Sequence, residues 1–397
     1  MSLTKLNRNH LRRVLLFLAQ HWKASLGIIL LMTIEVIFHI RSFTIPRPST
    51  NLDPPFYTTC HDPSTMNSTA RANATFMMLA RNSDVSGAVQ SVKSVQAQFN
   101  QHFGYPWVFL NDEEWSEEFK MEVGKAVGEG VSVTFDTIPW EVWGFPMWID
   151  REKARRKMKK MEREGVMYAG EESYHHMCRF QSGFFYDHPA LLPYKFYWRV
   201  EPDIRFTCAI PYDPFLSMSQ HDKKYGYAIA LWERGNTVPS LFRKISDYKA
   251  RRHVRTTPLW TALMAPSYAP WLIRRFVLSL LRNRDGKGDL WNMCHLWSNF
   301  EIADMEFFRS SAYRELFRYL DEDGGFYYER WGDAAVHSLG VAMLLRPDEV
   351  HWFSDWGYVH GGLQVCPKEG LGCGCECEEG GREVETVCLD SIRRTVE

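Results

Sequence analysis

The sequence predicts an α/β protein, a sheet covered by helices, on three observations. The 397-residue chain is 45% hydrophobic and 14% aromatic, which is sufficient material for a sizeable core. From residue 74 onward, short apolar runs alternate with helical patterns, as in proteins built from strand–helix–strand units. Acidic residues follow several of these runs. Ligands of such sheets bind beyond the carboxyl ends of the strands, so the acids mark the expected site.

The first ordered elements follow this pattern closely. The run "ATFMMLAR" is predicted as a buried strand, and "YPWVFLND" and "VSVTFDTI" as the next two. Between the first two, "SDVSGAVQSVKSVQAQFN" predicts a helix that Ser83 or Asp84 can cap. Its apolar face consists of Val85, Ala88, Val89, Val92, Val95 and Phe99.

Later elements are predicted in the same way. A charged, solvated helix covers residues 151–164, an aromatic helix begins in "SYHHMCRFQSG", and "YKFYWRV" and "YGYAIAL" are strands. Glu301 and Asp304 are expected around a loop and a helix start, and His360 in a glycine-flanked loop. His337 is expected on a helix among Ala, Val and Leu neighbours, which favours a satisfied core histidine.

The N-terminal region predicts a membrane anchor. A basic tail, residues 1–24, precedes an apolar run over residues 25–41, which is slightly short of the roughly 20 residues that span a bilayer. Glu35 within the run is costly in lipid, and a core helix or a cleaved signal peptide are the alternatives. We predict a cytosolic tail, a single-pass anchor, a Pro/Ser/Thr/Asn-rich stem over 42–70 and a lumenal domain over 71–397.

Nine cysteines favour an oxidising compartment. Five of them follow residue 360, in a Gly-rich segment with too few apolar residues to stabilise itself by burial. Disulfides are favoured over zinc because C-G-C-E-C is tighter than usual zinc-ligand spacing, and the odd total leaves at least one thiol unpaired. Sequons at Asn67 and Asn73 fit the same secretory route.

Charge argues against a nucleic-acid partner. The formal net charge is −1, so binding driven by phosphate neutralisation is not expected. The segment from about Ser240 to Asp289 is locally basic and contains the amphipathic piece "WLIRRFVLSLLRNRDGKG". A surface insertion is the favoured interpretation, and contact with a membrane surface or with acidic glycans is the alternative.

The stretch "YWRVEPDIRF" carries the most informative chemistry. Glu201 and Asp203 follow a strand, with a proline between them that stops the strand. Mg²⁺ and Mn²⁺ prefer such oxygen ligands and take their remaining ligands from water and phosphates. Alone, the pair is more typical of a solvated turn, because most acids that follow a strand are solvated turn residues. A metal–diphosphate site is favoured because further acids and a histidine have similarly aromatic neighbours: Glu233, Glu301, Asp333 and His360.

Four long blocks, "SYHHMCRFQSGFFYDHP", "YWRVEPDIRF", "HLWSNFEIADMEFFRS" and "GGFYYERWGDAAVHSL", resemble in order those of fungal Kre2/Mnt1-type α-1,2-mannosyltransferases, glycosyltransferase family 15. The resemblance covers roughly residues 70–370. It implies a GT-A-like domain with a central mixed sheet flanked by helices, behind an N-terminal anchor in the Golgi membrane. It further implies a GDP-mannose donor, Mn²⁺, and transfer to the 2-hydroxyl of an α-mannoside with retention of configuration.

The resemblance also implies residue roles. Glu201 and His360 would ligate the metal, although Val359 replaces the first histidine of the family's "GYHH"-like block. Glu301 matches the proposed nucleophile; stabilising an oxocarbenium-like centre or binding acceptor hydroxyls are its alternative roles. The remaining predicted site residues are Tyr174 and Asp333 in catalysis, and Glu233, Arg179 and Asp203 in donor binding.

Several alternatives remain open at this point. Arg179 is as well explained by a structural role as by phosphate binding. The acceptor is an N-glycan, an O-glycan or a cell-wall mannan. A non-catalytic glycan-binding paralogue and a transferase for another nucleotide sugar are the competing functions.

Overall fold

The computed structural model describes residues 20–43, 53–62, 70–265, 267, 269–368, 370–384 and 387–393. Most of the predicted tail, much of the predicted stem and the sequon at Asn67 lie outside the described residues. Asn73, the second sequon residue, is exposed immediately before the first strand.

The strands form one large sheet and three small ones. In chain order they are β1 (Ala74–Leu79), β2 (Trp107–Asn111), β3 (Val133–Thr137), β4 (Phe196–Arg199), β5 (Arg205–Phe206), β6 (Tyr225–Tyr227), β7 (Ala230–Trp232), β8 (Met264–Ala265), β9 (Leu290–Trp291), β10 (Cys294–Leu296), β11 (Glu301–Asp304), β12 (Val350–Trp352), β13 (Tyr358–His360), β14 (Leu363–Val365) and β15 (Arg382–Glu383).

The described residues also form the following helices. They are α1 (Trp22–Phe43), α2 (Val85–Val95), α3 (Gln101–Phe103), α4 (Glu117–Val127), α5 (Trp140–Trp143), α6 (Arg151–Arg163), α7 (Glu172–Gly183), α8 (Pro214–Gln220), α9 (Leu241–Arg251), α10 (Pro258–Ala262), α11 (Trp271–Phe276), α12 (Met305–Arg309), α13 (Ser311–Asp323), α14 (Gly325–Tyr328), α15 (Asp333–Leu344) and α16 (Val387–Arg393).

The large sheet is mixed, as predicted. Its order is β12-β6-β11-β4-β1-β2-β3, and only β11 runs antiparallel to its neighbours. Successive side chains of β1 point to opposite faces, so Phe76 and Met78 pack into one hydrophobic core and Met77 into the other. Burial on both faces explains why these strands are continuous apolar runs rather than alternating ones.

Two small sheets lie beside the end of β4. The four-stranded sheet has the order β15-β14-β13-β5, and β5 starts only a few residues after β4 ends. The ribbon of β7 and β10 follows directly from β6 and leads directly into β11. Residues far apart in the sequence are therefore brought to the carboxyl end of β4.

Four disulfides attach the cysteine-rich C-terminal segment to the rest of the described chain. They are Cys60–Cys373, Cys208–Cys375, Cys294–Cys388 and Cys366–Cys377. Cys178 is buried and free. The preference for disulfides over zinc and the expectation of one unpaired thiol are confirmed.

Three local predictions were wrong. Glu301–Asp304 is a central strand rather than a loop, although Asp304 does cap α12 with its side chain. The run "YGYAIAL" breaks into β6 and β7, because β6 pairs in the large sheet and β7 pairs with β10. His360 ends β13 rather than lying in a loop, and the glycines after it form the hairpin turn with φ of 56° and 77°.

The helix α1 spans 22 residues over the predicted anchor. Within the part of the chain that the structure describes, no helix combines the length and apolar character needed to cross a membrane. The predicted anchor over residues 25–41 is thus not confirmed.

Candidate active site

The Glu-Pro-Asp turn follows β4 directly and is held by α2. Asp203 adopts a left-handed conformation with φ of 61°, and its backbone N–H donates to the Gly87 carbonyl at 3.2 Å. A Cβ atom on Gly87 would lie 2.5 Å from an Asp203 carboxylate oxygen. Glycine at this helix position therefore permits the close approach of the turn. Asp203 itself is exposed at the surface of the site.

Arg199 connects two of the predicted site carboxylates. Its Nε donates to Glu201 Oε1 at 2.7 Å and its Nη1 donates to Asp333 Oδ2 at 2.6 Å. The Ser298 hydroxyl donates to the same Asp333 oxygen at 2.7 Å. Arg199 and Asp333 are buried, whereas the Glu201 side chain remains 24% exposed. Glu201 is therefore oriented from inside the protein and open to a ligand from outside.

Asp333 stays ionised because the Arg199 guanidinium pairs with it. Burial raises the pKa of its carboxyl, but Arg199, His337 and the Ser298 hydroxyl oppose burial and lower the pKa to about 2. Its position as the first residue of α15 adds favourable interaction with the helix N-terminus. The site thus holds a fixed negative charge next to the Arg199 guanidinium.

Glu301 lies at the start of β11, opposite Arg199 on β4. The hydroxyls of Tyr197 and Tyr225 donate to its two oxygens, the latter at 2.6 Å, and His337 Nδ1 lies 3.0 Å from Oε2. Burial raises the pKa of Glu301, yet His337 and Arg199 outweigh burial and lower it overall. The Glu301 side chain is 0% exposed. It is therefore a buried anion whose two oxygens already have hydrogen-bond partners in the protein.

His337 is fully buried and bonded through both ring nitrogens. Its Nε2 lies 2.9 Å from the Gln181 carbonyl, opposite the nitrogen that meets Glu301. The prediction of a satisfied core histidine is confirmed. Its partner is a predicted catalytic carboxylate, which the sequence pattern had not indicated.

Tyr174 and Glu233 meet through Arg330. Arg330 Nη1 donates to the Tyr174 hydroxyl at 3.2 Å, and Nη2 lies 3.6 Å from Glu233 Oε1. Thr237 donates its hydroxyl to the same Glu233 oxygen at 3.0 Å. Burial raises the pKa of Tyr174, so this hydroxyl remains protonated and able to donate.

Glu201 and His360 are the candidate metal ligands. Glu201 lies in the turn before β5, and β5 pairs with β13, the strand that ends at His360. His360 Nδ1 is buried without a hydrogen-bond partner, beside Trp297. In the described residues no group of three or more His, Cys, Asp or Glu side chains could hold a metal ion. One carboxylate and one imidazole fit a Mn²⁺ ion that takes its other ligands from water and phosphate.

Arg179 lies outside this network. It binds Asp321 with two hydrogen bonds of 2.6 and 2.9 Å, and it donates further to the Val142 and Gly144 carbonyls. Of the two roles left open for Arg179, this geometry corresponds to the structural one.

Sequence reasoning missed Arg199, Arg330 and the tyrosines around Glu301. For Arg199 a signal existed: in a strand, residues two apart face the same side, so Arg199 and Glu201 were bound to be neighbours. Arg330 lies in the block "YYERWGD" but is 156 residues from Tyr174, and no local pattern predicts that contact.

The family described as glycolipid 2-alpha-mannosyltransferase matches residues 50–389 of this chain. The chain belongs to this family. An "O-glycoside alpha-1,2-mannosyltransferase homolog 4" of Schizosaccharomyces pombe is 45% identical over 335 residues, 80% of this chain and 75% of that protein. A "Glycolipid 2-alpha-mannosyltransferase" of Saccharomyces cerevisiae is 43% identical over 321 residues, 80% and 68% of the two chains.

Solved structures agree with this membership. The S. cerevisiae mannosyltransferase Ktr4p in complex with GDP superposes with a TM-score of 0.72 at 32% identity, over 87% of this chain and 95% of that one. Core-mannan synthase A of Aspergillus fumigatus, in a Mn/GDP form, gives 0.70 at 32% identity over 88% and 94%. The predicted family, the α/β glycosyltransferase fold and the α-1,2-mannosyltransferase class of enzyme are confirmed.

Proposed function

We propose that this enzyme transfers mannose from GDP-mannose to the 2-hydroxyl of an α-mannoside, with retention of configuration and with Mn²⁺. The observation that carries the proposal is the Glu201–Arg199–Asp333 network at the carboxyl end of β4. It lies where a nucleotide diphosphate binds in α/β sheets. Relatives solved with GDP, one of them with manganese, support this donor over another nucleotide sugar.

Glu201 and His360 would hold the Mn²⁺ ion, which supplies positive charge to the diphosphate as it leaves. Arg199 fixes the Glu201 carboxylate through a buried hydrogen bond, so the ligand is oriented before the donor arrives. No strong general acid is then needed for departure of GDP.

In the transfer, the bond from the anomeric carbon to the β-phosphate oxygen breaks, and a bond from that carbon to the acceptor O2 forms. The acceptor proton passes to a base, either the departing phosphate or a protein carboxylate. Glu301 serves the double-displacement route as nucleophile, or it stabilises the positive charge of an oxocarbenium-like centre. The described conformation favours stabilisation, because three donors occupy Glu301 and none of its surface is exposed.

The acceptor class we propose is a terminal α-mannoside on a glycoprotein N- or O-glycan or on cell-wall mannan. Tyr174, Glu233 and Arg330 lie together and offer both donors and acceptors of hydrogen bonds. Neutral sugars are recognised by such mixed sets, which is what supports the assignment.

We also propose that the enzyme is a Golgi membrane protein with its catalytic domain in the lumen. Four disulfides fit an oxidising compartment, and the basic tail and apolar run over residues 1–41 fit a single-pass anchor. Protease protection of the full chain in intact vesicles tests this topology. A catalytic domain digested without detergent would contradict it.

The activity test uses the full chain purified under oxidising conditions, GDP-mannose and methyl α-mannoside. We expect an α-1,2-linked disaccharide that forms with Mn²⁺ and is lost with chelator, read by NMR of the product linkage. A β-linked product would overturn retention, and a metal-independent product would overturn the Mn²⁺ assignment. Failure to bind GDP in the presence of Mn²⁺ would overturn the donor.

A further inference from the structure

His295 and Arg330 each keep a nitrogen atom without a partner inside the site. His295 Nδ1 and Arg330 Nε are buried and make no hydrogen bond. Each residue is only 6% exposed. A buried polar group without a partner is destabilising, so two in one cluster indicate that a ligand supplies the missing partners.

The strand register directs His295 toward the site. In the ribbon of β7 and β10, His295 stands opposite Leu231. Side chains two apart on a strand share a face, so Glu233 and His295 face the same side. The Glu233 backbone N–H donates to the Met293 carbonyl at 2.7 Å and extends the ladder to this position.

Arg330 approaches the same face from the chain before α15. Its guanidinium lies 3.6 Å from Glu233 and donates to the Tyr174 hydroxyl. The charges of Glu233, Asp333 and Arg330 all act on the His295 ring, which places the four groups in one neighbourhood. Burial lowers the pKa of His295, so the ring is neutral at pH 7.

The two unpartnered nitrogens and the neighbouring Glu233 carboxylate, which already accepts from Thr237, define the chemistry of the ligand. Arg330 Nε can only donate, the Glu233 carboxylate can only accept, and neutral His295 Nδ1 does either according to its tautomer. A hydroxyl group donates and accepts, so hydroxyls satisfy all three. A phosphate oxygen would be repelled by Glu233, which separates this cluster from the diphosphate position beside Glu201.

We propose that His295 and Arg330, together with Glu233, form a subsite that binds hydroxyl groups of a hexose ring. The inference rests on the proposed function and deepens it by assigning two further residues to sugar binding. The hexose is either the donor mannose or the acceptor mannose, and both present the same hydroxyl chemistry.

The competing occupant is a single buried water. A cavity of about 10 Å³ next to His295, lined also by Leu296 and Ser338, is at the size limit for one water molecule. Such a water would satisfy Nδ1 without any sugar, and His295 would then not influence which sugar is accepted.

The test compares deoxy sugars in wild type and in His295→Leu, using the full chain. The donors are GDP-mannose and its 3-, 4- and 6-deoxy analogues; the acceptors are methyl α-mannoside and the corresponding deoxy sugars. The readout is the ratio of kcat/KM for the parent over each analogue within one enzyme. This ratio does not depend on the fraction of active protein, so partial unfolding of a variant does not affect it.

We expect wild type to disfavour one analogue by roughly tenfold, the typical effect of one hydrogen bond, and His295→Leu to lose that preference. His295→Asn, which keeps a polar atom near Nδ1, restores part of it. An affected donor analogue assigns the subsite to donor mannose, and an affected acceptor analogue to acceptor mannose. His188→Leu is the matched control, because both nitrogens of that buried histidine are already bonded.

Unchanged ratios for every analogue in His295→Leu would overturn the subsite. Wild-type enzyme that transfers no mannose from GDP-mannose would overturn the proposed function, and the subsite with it. The two failures are distinguished because wild-type transfer is measured first.

Discussion

Arg199 shows how one residue organises the site. Its guanidinium holds Glu201 and Asp333, two carboxylates 132 positions apart in the printed sequence, and it also lowers the pKa of buried Glu301. Buried charges are costly unless they are paired and hydrogen-bonded. Pairing by Arg199 and His337 explains how three acids persist next to an aromatic core.

Glu201→Ala is expected to abolish the Mn²⁺-dependent part of GDP binding, because one of two protein ligands is removed. Titration calorimetry with GDP, with and without Mn²⁺, measures this. The exposed Glu113→Ala is the control and should bind as wild type. Unchanged Mn²⁺-dependent affinity in Glu201→Ala would remove Glu201 from the metal site.

Glu301→Gln is expected to keep GDP binding and to lower transfer roughly a hundredfold, because it removes the negative charge that we propose stabilises the oxocarbenium-like centre and keeps the side-chain volume. Initial rates with GDP-mannose and methyl α-mannoside measure the loss. Glu301→Ala should also lower stability, since it leaves both tyrosine hydroxyls and His337 without their partner. Full turnover of the Gln variant would remove Glu301 from the chemistry.

At the scale of elements, α7 carries more than Tyr174. His175 and His176 follow it and are buried against α14, and burial lowers the pKa of both rings. The pKa of His176 falls to about 4. This helix therefore links the active site to a pH-sensitive part of the core.

Acid should destabilise the protein partly through His176. Burial lowers the pKa of its ring from the ordinary 6.5 to about 4, so its contribution to the free energy of unfolding is complete above pH 6.5 and is lost as the pH falls to about 4. This difference in pKa corresponds to a loss of about 3 kcal/mol in the free energy of unfolding. Solvent screening of the partly exposed ring makes the real loss smaller. Urea unfolding of wild type and His176→Gln at pH 7 and pH 4.5 measures the difference. Equal losses of stability in both proteins would contradict the assignment.

Short strands also carry candidate site residues. Strands β7, β10 and β13 are each only three residues long, yet two of them carry histidines that we propose act in the site: His295 on β10 and His360 at the end of β13. Such short strands gain little from their own ladders, so the disulfides at Cys294 and Cys208 help to hold them in place.

On the scale of the whole molecule, disulfides replace the burial that the C-terminal segment lacks. Cys208–Cys375 joins residues 167 apart, and Cys366–Cys377 joins residues 11 apart. In the chain-entropy account, the longer loop constrains the unfolded state more.

Removal of Cys208–Cys375 by double alanine substitution should therefore cost roughly 5 kcal/mol, and removal of Cys366–Cys377 roughly 3 kcal/mol. Thermal unfolding of the two variants under identical oxidising conditions measures the order of their Tm values. An equal or reversed order would show that the segment is stabilised mainly by its contacts. Activity should fall more in the first variant, because Cys208 follows the Glu-Pro-Asp turn closely.

The sequence by itself determined the strand–helix–strand opening, the acids after β4, the preference for disulfides and the family. These depend on local periodicity and residue chemistry, which act within a few positions. Glu201 could be predicted because a proline and two acids end an apolar strand, and the same period would have revealed Arg199.

Only the tertiary structure decided which distant residues meet. The insertion of β11 between β4 and β6 places Glu301 opposite Arg199. The antiparallel pairing of β11 with β4 depends on burial of residues about 100 positions apart. No local sequence pattern predicts it. Disulfide connectivity, the meeting of Arg330 with Tyr174, and the unpartnered His295 nitrogen follow in the same way. The cause is physical: long-range contacts form where apolar faces pack, and polar partners are brought together as a consequence.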